Sequence, residues 1–262
     1  PGGFDATVEK WSTLGVYARI KLLEHLPKKY ACIVFDRREC GQSGARVEPV
    51  GWAHFVEQGK GLLDHLGIRS AHLLGGCMGV SCAIAFAAAY PDVVQSLVLW
   101  WPVGGAKYRI KGRARFTEHL AFVEREGLQG VVDLVSREGK AFGADPRGGP
   151  WASPIKRDPA FARDYAKLDR EKYKAIVTDM MLALLDRDTA PGAEPEQLLD
   201  MQIPAFIVPG RDESHATSAA RYLEECLSQA RYWDATPEQQ TEDNAVPRIL
   251  EFLDAAQGQV SK

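Results

Sequence analysis

The chain has 262 residues, 45% of them hydrophobic and 26% charged, with a formal net charge of −3. That length suits one large α/β domain with an inserted subdomain, and that apolar content supports a sizeable core. The near-neutral balance carries no electrostatic footprint for nucleic acid or an anionic membrane surface, and no apolar run reaches the length of a membrane span.

Pro1-Gly2-Gly3-Phe4 is a glycine-rich start. Trp11 to Leu26 has helical periodicity, and Ala31 to Phe35 reads as a strand that ends in the turn Asp36-Arg37-Arg38-Glu39-Cys40-Gly41-Gln42-Ser43. Gly51 to Gly67 is an amphipathic helix with Val56, Leu62, Leu63 and Leu66 on its inner face. Ala71 to Leu74 is a short apolar run, expected as a buried parallel strand. Gly75-Gly76-Cys77-Met78-Gly79 follows, then an Ala-rich helix from Val80 to Tyr90 that stops at Pro91. Val93 to Pro102 is the next strand. From Lys107 to Leu199 the pattern is charged and helical, broken by the turn-rich stretch Gly143 to Pro150. Ile203 to Val208 and Ala230 to Asp234 read as strands, Tyr222 to Leu227 and Val246 to Ala256 as helices. The alternation predicts an α/β fold: a mostly parallel sheet with helices on both faces.

The stretch from Ser70 to Pro91 organises the rest. A strand that turns at once into a helix forces its apex residue into a strained conformation, and only small residues fit two positions to either side. Gly75 and Gly79 hold those positions and Cys77 is the apex. The arrangement resembles the nucleophile elbow G-x-S-x-G of the α/β-hydrolase superfamily, with cysteine in place of serine. The turn at Asp36, Arg38, Gly41 and Ser43 resembles that family's D-x-R-G-x-G-x-S, with Glu39 where glycine is usual. Pro1-Gly2-Gly3-Phe4 resembles the tail of its H-G-x-P-G loop, and residues upstream of Pro1 are then expected to complete the sheet. The resemblance implies an α/β core at 1–106 and 201–262, with a helical cap at 107–200 inserted before the strand at Ile203. It implies an oxyanion hole from the backbone of Met78 and of Gly2 and Gly3. Trp151, Phe116, Phe122, Tyr173, Met180 and Met181 are candidates to line the cavity under the cap, and Glu39 is a candidate to face it.

A thiol needs less activation than a hydroxyl, and a helix N-terminus favours the thiolate. Cys77 is therefore the expected nucleophile. The family's acid follows the strand at Ile203 to Val208, where Asp212 and Glu213 both stand in reach of an imidazole, Asp212 preferred. The family's histidine belongs in the loop after the last strand, here Ala235 to Thr241, and no histidine lies beyond His215. His215, in the acid loop, is the substitute base. The expected activity is hydrolysis of a small ester, thioester or lactone; the alternatives are a non-catalytic ligand-binding member of the fold and a lyase. The likeness to dienelactone-type hydrolases is confined to the cysteine at the elbow. Neither the six histidines nor the five cysteines form a metal-ligand pattern, and no cofactor or metal is expected. Reduced thiols fit a cytoplasmic location. The expected partner is a small-molecule substrate, with no nucleic acid and no membrane; a homodimer is compatible with the sequence.

Overall fold

A computed structural model describes residues 7–43 and 46–260. Three short helices open it, α1 (Lys10–Thr13), α2 (Gly15–Ile20) and α3 (Leu22–His25). The single helix expected over this stretch is broken because Leu14 is extended and Lys21 is left-handed at φ 56°. After α4 (Trp52–His65) come β1 (Ala71–Gly76), α5 (Met78–Ala89) and β2 (Val94–Trp100). A helical insertion follows: α6 (Ala106–Glu138), kinked at Gly127, then α7 (Ala152–Arg157), α8 (Pro159–Tyr165), α9 (Arg170–Leu184) and α10 (Pro195–Asp200). The chain returns through β3 (Ala205–Val208), α11 (Thr217–Cys226), β4 (Ala230–Tyr232) and α12 (Glu242–Val260). Among the described residues no helix is long and apolar enough to cross a membrane.

The four strands form one parallel sheet in the order β1-β2-β3-β4. Successive side chains of a strand point to opposite faces, so a strand covered on both sides must be apolar throughout. In β2, Leu97 and Leu99 pack with α4, α5, α10 and α11, while Val98 and Trp100 pack with α1 to α3 and α12. Ala205 and Ile207 of β3 join the first layer, Phe206 and Val208 the second. The insertion has a third core of its own, and Val50, Phe55, Met78 and Val103 from the α/β part are built into it.

Two expectations are corrected at the edge of the sheet. The run at Ala31 to Phe35 pairs with no strand among the described residues; grooves of about 250 and 400 Å³ separate it from β1. β1 is consequently an edge strand, half-buried from Ala71 to Leu74 rather than enclosed. Leu66 lies past the end of α4 and is exposed, although Val56 and Leu63 face the core as expected.

Candidate active site

Cys77 sits where β1 passes into α5, with φ 54° and ψ −125°. This conformation is rare for a residue with a side chain and is held by its surroundings. The Cys77 amide donates to the Trp100 carbonyl at 3.0 Å. A Cβ at Gly75 would stand 2.2 Å from the Gly79 carbonyl oxygen, and one at Gly76 would stand 2.2 Å from the Tyr17 hydroxyl. The glycines are steric requirements of the bend. It leaves the thiol half-buried at the N-terminus of α5, packed against the core of the helical insertion.

His215 comes from the loop between β3 and α11. Its Nδ1 lies 2.8 Å from both carboxylate oxygens of Asp212, and Asp212 Oδ1 also accepts the backbone N–H groups of Ser214 (2.8 Å) and His215 (2.9 Å). A carboxylate only accepts, so the proton on this side belongs to Nδ1 and the other nitrogen, Nε2, is the one presented to Cys77. Nε2 is buried and has no hydrogen-bond partner among the described residues, while the imidazole and the Cys77 thiol are near enough to shift each other's titration. The bed of the imidazole is Gly210, where a Cβ would meet His215 Cβ at 2.4 Å and Trp101 Cγ at 3.2 Å. Backbone bonds from Gly104 N–H to the Ser214 carbonyl (3.0 Å) and from Ala216 N–H to the Gly104 carbonyl (3.4 Å) pin the loop on either side of it.

The electrostatics favour an ion pair. Burial alone raises the Cys77 thiol, but His215, the Met78 N–H and Arg37 together bring it below its ordinary value. Burial alone lowers His215, and the Asp212 carboxylate and Cys77 overcome it, lifting the imidazole to about 9. The hydrogen bond from His215 is the chief cause that holds Asp212 down at about 2. The two shifts reinforce each other and move the pair towards thiolate and imidazolium.

Of the candidate residues, the fold brings Cys77, His215, Asp212 and the Met78 N–H together. Glu213 is elsewhere: it pairs with Lys107 at 3.2 Å and with Lys111, both on α6. Trp151 is fully buried in the core of the insertion, its indole N–H donating to the Arg46 carbonyl at 2.8 Å, so its ring packs protein rather than lining a cavity. Phe116, Tyr173 and Met180 share that fate. Glu39 is buried and accepts from Arg37 Nε at 2.9 Å. Gly2 and Gly3 lie outside the described residues. Asp36 ties down its turn, accepting from Val8 N–H and Gln42 N–H at 2.6 Å each.

Sequence reading missed four residues. Tyr17 and Tyr108 are buried, and the Cys77 charge raises both phenols further after burial itself. The Tyr108 hydroxyl has no hydrogen-bond partner among the described residues. Trp101, left-handed at φ 54°, packs its ring 5.4 Å from the imidazole and donates its indole N–H to Gln240 Oε1 at 2.6 Å. Gln240 is fully buried in the loop after β4, where the resemblance expects a histidine. A polar residue in that loop is the one signal the sequence offered.

Residues 1–103 match the family described as alpha/beta hydrolase fold. Among curated proteins, a 2-hydroxy-6-oxononadienedioate/2-hydroxy-6-oxononatrienedioate hydrolase of Paraburkholderia phymatum is 58% identical over 40 residues, 15% of this chain and 14% of the relative. A 2-hydroxy-6-oxo-6-phenylhexa-2,4-dienoate hydrolase of Comamonas testosteroni is 47% identical over 45 residues, 17% of this chain and 16% of that protein. These matches thus span about one-seventh of the relatives' length. Among solved structures, a hydrolase from Pseudomonas aeruginosa has a TM-score of 0.61 at 18% identity, covering 96% of this chain and 87% of its own. The enol-lactonase from Burkholderia xenovorans has a TM-score of 0.59 at 19% identity, covering 96% and 88%. With its parallel sheet, its strained elbow, this matched segment and these structural neighbours, the chain has the alpha/beta-hydrolase fold.

Proposed function

We propose that the chain is a hydrolase of small carboxylic esters, thioesters or lactones that uses Cys77 as its nucleophile. The observation that carries this reading is the array Asp212–His215–Cys77, an acid, an imidazole and a sulfur in series at a strained strand-to-helix bend. The thiolate attacks the acyl carbon, a carbon–sulfur bond forms, and the carbonyl electron pair moves onto oxygen. The Met78 N–H at the N-terminus of α5 is the donor available to that oxyanion. The tetrahedral adduct collapses to a thioester as the His215 imidazolium gives its proton to the departing alcohol, thiol or enol. His215, now neutral, takes a proton from water; hydroxide adds to the thioester, and collapse returns the Cys77 thiolate and releases the acid. Asp212 keeps Nδ1 protonated throughout, as the orienting acid of such an array. The helical insertion serves as a cap that keeps bulk water from the sulfur. The neighbouring enol-lactonase supports the lactone class, and the curated relatives, named as hydrolases, support hydrolysis as the reaction type.

The test is a panel of activated esters, thioesters and lactones with the wild type, Cys77→Ala and His215→Ala. The expected result is a stoichiometric burst with the wild type, none with Cys77→Ala, and acyl-enzyme that accumulates with His215→Ala because deacylation lacks its base. Turnover retained by Cys77→Ala overturns the assignment. Iodoacetamide labelling of Cys77 no faster than that of Cys32, Cys40, Cys82 and Cys226 leaves a ligand-binding member of the fold instead.

A further inference from the structure

The loop after β4 holds a buried side chain, Gln240, that is bonded to the indole packed against the imidazole. Gln240 donates from Nε2 to the carbonyls of Pro209 (2.9 Å) and Ala235 (3.1 Å), which fixes its amide so that Oε1 must accept. The donor to Oε1 is the Trp101 indole N–H at 2.6 Å, and the Trp101 ring lies against His215 with centroids 5.4 Å apart. Gln240 has no exposed surface, and Arg19 Nε donates to its backbone carbonyl at 3.1 Å. Trp101 is strained, one of four non-glycine residues among those described with positive φ, and Cys77 is another. Strain of this kind persists only where surrounding contacts over-determine it. Asp212 fixes one nitrogen of the ring but leaves it free to tilt about that bond; packing on a locked indole removes the tilt.

We infer that Gln240 and Trp101 are positioning residues that hold the His215 ring towards Cys77, so that the loop which lacks a base supplies the support for a base borne elsewhere. This rests on the nucleophile reading of Cys77. Neither residue touches the sulfur, and both act through His215.

The variants are Gln240→Met, Trp101→Phe and the two combined, with melting temperature followed by circular dichroism. Two titrations read the site: the pH dependence of Cys77 carboxymethylation by iodoacetamide, and the pH dependence of the His215 Cε1–H resonance. The charged and titratable groups facing the pair, Asp212, Arg37, Tyr17 and Tyr108, are unchanged in every variant. In the wild type the alkylation midpoint is expected below 9 and the imidazole midpoint near 9. In each variant the first is expected to climb and the second to fall by about one pH unit, a tenfold weaker ion pair. Removing both halves of a buried hydrogen bond spares the orphaned partner, so the double variant should melt above Gln240→Met. Its midpoints should stay displaced, which a merely structural role does not predict. A folded variant with wild-type midpoints overturns the inference and leaves the nucleophile reading intact. A wild-type midpoint at 9 or above removes both. Should Gln240→Met fail to fold, Trp101→Phe, which keeps an aromatic ring and loses the N–H, decides alone.

Discussion

Two neighbouring carboxylates, chemically almost alike, are separated by what they touch. Asp212 holds His215 Nδ1 with both oxygens, whereas Glu213 holds two lysines of α6. Asp212→Asn is therefore expected to lower kcat/KM by about 10²- to 10⁴-fold, the range for loss of general acid–base function, and Glu213→Gln to change it less than about threefold. Steady-state kinetics on the responsive ester decide between them; equal losses would undo the assignment of the acid. The same pair predicts a stability profile. His215 is raised to about 9 from an ordinary 6.5, so its contribution is complete below 6.5 and is lost as pH rises through 9. Asp212 is lowered to about 2 from 3.8, so its contribution is complete above 3.8 and is lost as pH falls through 2. In Asp212→Asn the alkaline decline in melting temperature should flatten.

The elements differ in how far the sequence revealed them. The elbow was legible because its constraint is steric and local: Gly75 has no room for one more carbon. Gly75→Ala, with backbone at 2.2 Å that cannot yield, is expected to lose at least about 3 kcal/mol or to appear only in the insoluble fraction. Gly61, inside α4 with nothing within 4 Å of where a Cβ would stand, is the control: Gly61→Ala should gain about 0.5–1 kcal/mol by chemical denaturation. The strands β2 and β3 were legible because burial on both faces writes a continuous apolar run. What escaped was non-local. Ala31 to Phe35 has the composition of a strand, yet pairing depends on what lies beside it, and grooves separate it from β1. The break at Lys21 is a left-handed residue that no glycine announced. Trp151 and Tyr173 looked the same as cavity-lining aromatics because periodicity tells which face is apolar and not what covers it. The role of Gln240 was not readable from its place in the loop alone, since its three side-chain hydrogen bonds join segments 5, 31 and 139 residues away.

At the scale of the whole molecule, the helical insertion and the sheet share side chains, because Val50, Phe55, Met78 and Val103 are embedded in the insertion's core. They should unfold in one transition. That makes a titrating group deep in the insertion a reporter of global stability, and His119 is such a group. Its Nδ1 faces the Arg147 carbonyl at 2.9 Å, so Nδ1 carries the proton and Nε2 must accept; the donor is the Tyr173 hydroxyl at 2.6 Å, which in turn accepts from the Tyr165 hydroxyl at 2.6 Å. A proton added at Nε2 has no acceptor unless this chain of hydroxyls reverses. Burial pushes His119 down to about 4, while in the unfolded chain it titrates near 6.5. Between these values the unfolded chain binds a proton that the folded chain refuses, so stability falls as pH drops from 6.5 towards 4, by at most about 3.5 kcal/mol at 1.4 kcal/mol per pH unit. His119→Leu removes that proton uptake, and it leaves the Tyr173 hydroxyl without an acceptor and the Arg147 carbonyl without a donor. The variant should therefore be less stable than the wild type at pH 8 by about 1–3 kcal/mol. The gap should narrow steadily at lower pH. Urea unfolding of both proteins from pH 8 to pH 4 measures that gap directly, and two parallel stability curves would mean that His119 is already protonated in the folded core.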